Sequence, residues 1–488
     1  FCKNFVYNML TETCNTKLTK SKETSALERR MYIESYGCQM NFSDSEIVTS
    51  ILEKEGYINT NEIEHADLVL INTCSIREKA EQTTRKRLEF FNSIKNKKNK
   101  NMIVGVLGCM AERLKKRFLD EEKLVDLVVG PDAYRNLPLL LRKVDDGKKA
   151  INVFLSLEET YADIKPTRLM QNGVTAFVSI TRGCDNMCSF CVVPFTRGRE
   201  RSRDPESIIN ECKDLINNGY KEVTLLGQNV DSYFWYGGGA KKDFHKTPKD
   251  QLKSSVDFAK LLEMIATISS KLRIRFSTSN PQDMSSEVIK IISKFKNICN
   301  YIHLPVQSGS SKILKLMNRG HSREDYIKLI DKIRREIPDC AISMDMITGF
   351  CFETEEDHQD TLSLMDYVKY DYGYMFKYSE RPNTTAQKKL LDCVPEKTKQ
   401  RRLTEIISKQ TQHSLENMQK KVGKIYEVLI ERNSKKSKEY FFGRTTHNSS
   451  VVFEKGDAKI GDYVMVKIEN CTSATLFGKI ISYEHTTS

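Results

Sequence analysis

The chain has 488 residues, with 77 Lys and Arg against 65 Asp and Glu, for a net charge of +12. At roughly 150 residues per domain this is enough for about three domains, and a peptide ligand or a small disulfide scaffold is excluded. Mean hydropathy is −0.49 and the longest strongly apolar stretch, near Met102–Ala111, falls far short of the roughly 20 residues of a membrane span, so the chain reads as soluble and globular, with nucleic acid favoured over a membrane as the partner for its positive charge.

Fourteen cysteines are a high count, yet they do not stand at disulfide-like intervals and no signal peptide precedes them, which points to a reducing compartment. The chain begins at Phe1 and not Met. This leaves a clipped leader open, and residues 1–30 read as a polar tail outside the fold.

From Met31 to about Gly147, three short apolar runs, Met31–Tyr36, Asp67–Asn72 and Met102–Leu107, read as buried strands. Ser43 with Glu46 forms a capping box for a helix over Asp44–Gly56, and a second helix runs from Ser75 to about Ile94. The βαβαβ pattern predicts a doubly wound parallel sheet. A cysteine follows each strand: Cys38 in YGCQMN, Cys74 in NTCSIRE and Cys109 in GVLGCMAER. In an open parallel sheet the carboxyl ends of the strands line one crevice, so three thiols far apart in sequence meet at one edge. They read either as small core residues or as a metal site. Zinc asks for a fourth ligand that does not accompany them, and an iron–sulfur cluster with one open iron fits better.

After the strand Val174–Thr181 comes RGCDNMCSFCVVPFTRGRERSR, with Cys184, Cys188 and Cys191 spaced C-x3-C-x2-C in a loop. Three thiolates at this spacing wrap a cubane and leave the fourth iron for an exogenous ligand. Further strands are expected at Glu222–Leu226, Arg273–Ser277, Tyr301–Val306, Ala341–Ile347 and Gly373–Tyr378, with helices between them, including Pro205–Asn218 capped by Asp204. Six βα strands make a partial barrel whose chemistry sits at the strand carboxyl ends. The residues there are candidate cofactor ligands: Gly227, Gln228 and Asn229, then Ser277 and Thr278, then His303 and Gln307, and finally Asp345 and Gly349. His303 lies inside an apolar strand and reads equally as a core histidine.

Arg182, Arg197, Arg199, Arg201 and Arg203 surround the second triad against Asp185 and Glu200. The mouth of the barrel is therefore expected to be positive, with Arg197, Arg199, Arg201 and Arg203 as candidate RNA contacts and bracing of the loop as the alternative for some of them. The insertion Tyr233–Ser255, which carries the single tryptophan, Trp235, reads as a stacking platform or as a surface excursion. Glu396–Lys421 is a basic helical linker, and IYEVLIER, EYFFGRT, SVVFE, DYVMVKI and TLFGKII predict a five-strand barrel of OB-like kind. Lys435, Lys436, Lys438 and Arg444 are its candidate RNA contacts, with a merely solvated loop as the alternative.

The C-x3-C-x2-C loop on a six-strand partial barrel resembles the radical S-adenosylmethionine superfamily. As a whole the chain resembles the MiaB-type tRNA methylthiotransferase family, through YGCQMN, NTCSIREKAEQ, GVLGCMAER, RGCDNMCSFCVVPFTRGRERSR, LLGQNV, IHLPVQSGSS, GFCFETEEDH and YSERPNTTA in that order. The second half also resembles the mitochondrial relative first described as a regulator of a cyclin-dependent kinase. The implied fold is α/β: a tail over 1–30, a doubly wound methylthiotransferase domain over 31–150, a linker over 151–172, the partial (βα)6 barrel over 173–395, a helical linker over 396–421 and a small RNA-binding TRAM barrel over 422–485. Asn383, where the bacterial pattern usually has Gly, and the insertion after the second strand depart from the family.

The resemblance implies that Cys38, Cys74 and Cys109 hold an auxiliary [4Fe-4S] cluster, and that Cys184, Cys188 and Cys191 hold the one that binds S-adenosylmethionine. It implies conversion of N6-isopentenyladenosine, next to the anticodon of tRNA, to the 2-methylthio derivative. An aromatic C–H has no acidic proton to remove, so a radical is needed, and the base must leave its stack. The partners implied are the tRNA anticodon stem-loop, an electron donor such as a flavodoxin-type reductase system, and a sulfur donor. A monomer is expected, in the cytoplasm or alternatively in a mitochondrion or other organelle. The other eight cysteines read as packing or surface residues. Alternative readings are methylthiolation of threonylcarbamoyl-adenosine or of a ribosomal protein, although the LGCPKN-like first motif of the latter is absent. From another class, a metal-stabilised RNA-binding or regulatory protein remains.

Overall fold

The structure, a computed structural model, describes residues 29–74, 78–115, 118, 125–170 and 172–483. The expected tail, with Cys2 and Cys14, lies outside the described residues except for Arg29 and Arg30, which open a strand. Among the described residues no helix is long and apolar enough to cross a membrane. The chain forms two compact units. One holds the described residues of 29–170 with Arg182–Cys184 and Val192–Arg203; the other holds 172–181, Asp185–Cys191 and the rest from Asp204 on.

The first unit is built on β1 (Arg29–Ser35), β2 (Tyr57–Asn59), β3 (Leu68–Thr73), β4 (Ile103–Gly108), β5 (Leu127–Val129) and β6 (Ala150–Asn152), all parallel, in the order 2-1-3-4-5-6. Every residue of LVLINT in β3 is buried, and alternation sends Leu68 and Leu70 to one core, with Leu137 and Leu140, and Val69 and Ile71 to the other, with Leu88 and Phe91. That two-sided burial is why the strand reads as a continuous apolar run. β2, β5 and β6 are three residues long and carry too little pattern to be read in advance.

The first helix spans Gln39–Glu53 and starts at Cys38, without a side-chain cap. The expected capping box at Ser43 and Glu46 is therefore not formed. Glu46 instead accepts from the Arg168 guanidinium at 2.9 Å and the Leu169 amide at 3.1 Å, so a tertiary ion pair has claimed the carboxylate. The following helix runs over Glu78–Lys97, its expected start at Ser75 lying outside the described residues.

In the second unit β7 (Thr175–Ser179), β8 (Glu222–Leu226), β9 (Arg273–Phe276), β10 (Tyr301–His303), β11 (Ala341–Thr348) and β12 (Tyr372–Lys377) form two parallel three-stranded sheets in chain order, as the six-strand barrel reading requires. Val223, Leu225, Ile274, Ile302 and Met344 face a single core with residues of the surrounding helices. Asp204 caps Pro205–Asn217 by accepting from the Ser207 amide at 3.0 Å. The helix Glu396–Gln419 leads into a closed barrel of β13 (Ile425–Asn433), β14 (Tyr440–Thr445), β15 (Ser450–Glu454), β16 (Tyr463–Cys471) and β17 (Leu476–Tyr483). This barrel is anchored at the amino ends of β8 and β9. Arg275 donates to the Thr445 carbonyl at 2.6 Å and to Glu222 at 2.7 Å, and Arg444 donates to Glu222 at 2.8 Å.

Candidate active site

The chain order of the first sheet reverses between β1 and β3, and ligands of open α/β sheets bind outside the carboxyl ends at such a switch. Cys38 follows β1, Cys74 follows β3 and Cys109 follows β4. Two glycines let these ends converge. Gly37 has φ +122, and a Cβ there would collide with Cys74. Gly108 has φ 87 and ψ −156, a region open essentially to glycine alone, and a Cβ would collide with Asn72. Two asparagines lock the same ends: Asn41 Nδ2 donates to Asn72 Oδ1 and the Thr73 carbonyl, each at 3.0 Å, while Asn72 Nδ2 donates to the Asn41 carbonyl at 2.8 Å. Asn41 stands in YGCQMN and Asn72 in INTCS, and neither is a candidate from sequence alone because its partner is distant in the chain.

All described cysteines are free thiols. Cys38 donates to Asn41 Oδ1 at 3.0 Å, and a hydrogen bond with Cys74, aided by the nearby Arg197, holds Cys38 down to about 6. Burial pushes the Cys109 thiol up, with Arg197 opposing. Arg197 Nε donates to Cys109 Sγ at 3.2 Å and Nη2 to Asp44 Oδ2 at 2.9 Å. Three soft donors and an adjacent cation make a donor set that fits an anionic thiolate cluster.

Cys184, Cys188 and Cys191 are half-buried in the loop after β7. The Cys191 amide donates to the Cys188 carbonyl at 3.0 Å, and Arg319 reaches Cys188 Sγ at 3.5 Å while donating to the Pro305 carbonyl at 2.7 Å. Around the strand ends of the second unit, Gln228 Oε1 and Asn229 Oδ1 are buried acceptors with no partner among the described residues, although Asn229 Nδ2 donates to Asp283 at 2.6 Å. Such orphaned acceptors fit a ligand that brings its own donors. Gly227 packs against Thr181 with no room for a side chain. Ser277 is half-buried, whereas Thr278 and Gln307, at φ 73 and 76, hold left-handed backbone that a non-glycine residue adopts only under constraint. Asp231, also missed by sequence reasoning, is buried next to this cluster and accepts from Ser279 Oγ at 3.1 Å and the Asn280 amide at 3.2 Å. Its partners lie some fifty residues away, beyond any local motif.

His303 Nδ1 meets Ser343 Oγ at 2.8 Å, and Nε2 lies 3.6 Å from Asp345. Gly349 needs correction as a cofactor candidate. Its amide donates to Glu353 at 2.6 Å, its φ is +70, and the Lys399 side chain packs directly on it, where a Cβ would collide. Asn383 has φ 70, a left-handed conformation that Asn tolerates better than most residues.

The candidate RNA cations divide sharply. Arg197, Arg201 and Arg203 are buried. Arg197 is paired with Asp44, and Arg201 with Asp132, while Arg182 also pairs with Asp44 at 2.8 Å. The positive mouth expected at Arg197, Arg201 and Arg203 is corrected: all three are buried, and two buried aspartates far away in the sequence draw the charge of Arg197 and Arg201 inward. Arg199 is half-buried. Arg444 is corrected for the same reason, since it pairs with Glu222 and Glu431; burial opposes, but Arg275, Arg444 and Arg273 together hold Glu222 below the usual carboxylate range. Lys435, Lys436 and Lys438 are exposed in the β13–β14 loop. The insertion is folded, with Phe234–Trp235 paired to Val256–Asp257 and Phe244 exposed and edge-on to Phe234 at 5.7 Å. Cys212, Cys299 and Cys351 are buried, Cys340 and Cys471 half-buried and Cys393 exposed.

Comparison with known proteins places these features. Residues 30–130 match the family described as UPF0004, residues 178–365 the radical SAM superfamily and residues 419–481 the TRAM domain. Among solved structures, the radical S-adenosylmethionine methyltransferase TsrM from Kitasatospora setae shares the fold at TM-score 0.54, with 12% identity over 74% of this chain and 77% of that one. Among curated relatives, the tRNA-2-methylthio-N(6)-dimethylallyladenosine synthase of Christiangramia forsetii is 64% identical over 95% of each chain, and that of Flavobacterium johnsoniae is 63% identical over 93% of this chain and 94% of its own. Such identity, carried across nearly the full length of both chains and through all three matched regions, means that this chain belongs to the tRNA-2-methylthio-N(6)-dimethylallyladenosine synthase family of radical S-adenosylmethionine enzymes.

Proposed function

We propose that the chain converts N6-isopentenyladenosine next to the anticodon of tRNA to its 2-methylthio derivative. One observation carries this reading: a single chain brings three thiols to the switch point of one sheet and three more into one loop of a partial barrel. In this reading Cys184, Cys188 and Cys191 hold a [4Fe-4S] cluster that takes S-adenosylmethionine, and Cys38, Cys74 and Cys109 hold the auxiliary one. Bound there, cluster and cofactor supply the radical chemistry that an aromatic C–H requires.

The chain's own residues hold and orient. Gly37, Gly108, Asn41 and Asn72 fix the three strand ends. Gln228 and Asn229 offer acceptors to the cofactor's donors, with Ser277, Thr278, Gln307 and Asp345 at the neighbouring strand ends. Lys435, Lys436 and Lys438 contact the phosphates of the anticodon stem-loop. A flavodoxin-type reductase system and a separate sulfur donor supply electrons and sulfur.

The test is anaerobic incubation of the reconstituted chain with isopentenylated tRNA, reductant, sulfide and S-adenosylmethionine, followed by nucleoside mass spectrometry. 2-Methylthio-N6-isopentenyladenosine is expected. Accumulation of 5′-deoxyadenosine without that product moves the substrate elsewhere, and zinc at both triads with no cofactor cleavage overturns the enzymatic reading.

A further inference from the structure

Arg197 is almost completely buried, yet only two of its three guanidinium nitrogens have partners. Nε donates to Cys109 Sγ at 3.2 Å and Nη2 to Asp44 at 2.9 Å, whereas Nη1 is buried without any acceptor among the described residues. Removing a guanidinium from water and leaving one of its N–H groups unmatched is costly, so the site favours an anion beside the triad. Asp44 also receives Arg182 at 2.8 Å. Asp44 thus orients Arg197 without cancelling it: Arg182, Arg197 and Arg201 share two carboxylates, Asp44 and Asp132.

We propose that Arg197 is a positioning residue for the auxiliary cluster. It aligns the Cys109 thiolate through Nε, offers Nη1 to the cluster's anionic sulfur, and raises the reduction potential of the cluster above what three thiolates alone would set. This rests on the reading that Cys38, Cys74 and Cys109 hold a cluster. Three thiolates on a cubane leave net negative charge, and adding an electron increases it. A fixed neighbouring cation and N–H···S hydrogen bonds stabilise the reduced form more than the oxidised form.

The experiment uses the full chain with Cys184, Cys188 and Cys191 replaced by Ala, so that the auxiliary cluster is observed alone. Iron is counted, and the one-electron couple is titrated with dithionite and followed by electron paramagnetic resonance. In the Arg197→Gln variant the reduction equilibrium is expected to shift at least tenfold toward the oxidised form, about 59 mV for one electron. Arg197→Lys, which keeps the charge and loses the fork, is expected to fall between Gln and the parent. If Arg197→Gln alone fails to retain iron, Arg197→Gln with Asp44→Asn, which leaves the net buried charge as in the parent, is expected to shift in the same direction, since the cation in contact with sulfur is the nearer charge. Full iron with an unchanged potential in every iron-retaining variant overturns the proposal. Absence of a cluster from the parent itself overturns the underlying reading of the triad instead.

Discussion

The two cysteine triads reach the same donor chemistry by opposite routes. Cys184, Cys188 and Cys191 are held together by the chain itself, within one loop. Cys38, Cys74 and Cys109 come from the ends of three strands and meet only because β1, β3 and β4 are adjacent and parallel, with Gly37 and Gly108 permitting the approach. A local site therefore survives small changes in packing, and an assembled one depends on every contact that aligns its strands. The cations repeat the contrast: Lys435, Lys436 and Lys438 stand in one exposed loop, while Arg197, Arg201 and Arg444 are placed by distant carboxylates.

The sharpest way to break this comparison is to remove one thiol from each triad. Cys188→Ala is expected to abolish both 5′-deoxyadenosine formation and methylthiolation, and Cys109→Ala to abolish methylthiolation while sparing 5′-deoxyadenosine; chromatography of both products decides, and equal loss in both variants removes the separation of roles. Next in size is Arg444→Ala. It leaves buried Glu222 and Glu431 short of a partner, and denaturant unfolding should show a loss of about 3–5 kcal/mol. Gly108→Ala tests the assembled triad directly. Left-handed strain of about 1–3 kcal/mol should open the strand ends, so that iron per chain after reconstitution falls by about four atoms, with the loop triad retained.

Asp231 gives a pH-dependent version of the same test. Burial pushes its carboxyl up from 3.8 to about 8. Between these values the unfolded chain has released a proton that the fold keeps, so stability present in acid is lost as the pH rises through this window and levels off above about 8. Asp231→Asn should flatten that profile in denaturation measured from pH 4 to 9. The smallest effect on stability is expected from replacing Lys435, Lys436 and Lys438 together by Gln, within about 0.5 kcal/mol. Its signature lies in binding: the slope of log affinity for tRNA against log salt should flatten by about 2–3, and an unchanged slope would show that the loop does not grip RNA.

Much of the fold was legible because its signals are local. The apolar runs of β3 and β4, the Asp204–Pro205 helix start and the five alternating strands of the terminal barrel all appear where their patterns stand. The capping box at Ser43 failed although its spacing is correct, because Glu46 found a stronger partner in Arg168, far away in the chain. The same cause explains the misread arginines. RGRERSR reads as a basic surface until Asp44 and Asp132 are known to lie against it.

The sequence alone determined the C-x3-C-x2-C spacing of the loop triad, the spacing of the strand-end cysteines and the order of the three folded regions, since each is written in contiguous residues or a regular period. Only the tertiary structure decided that Asn41 and Asn72 lock the strand ends, that Arg197 touches Cys109, and that Arg444 braces the barrel against Glu222. Hydrogen bonds and ion pairs act over a few ångströms, and which distant residues come within that reach is fixed by strand order and packing, which no local pattern records.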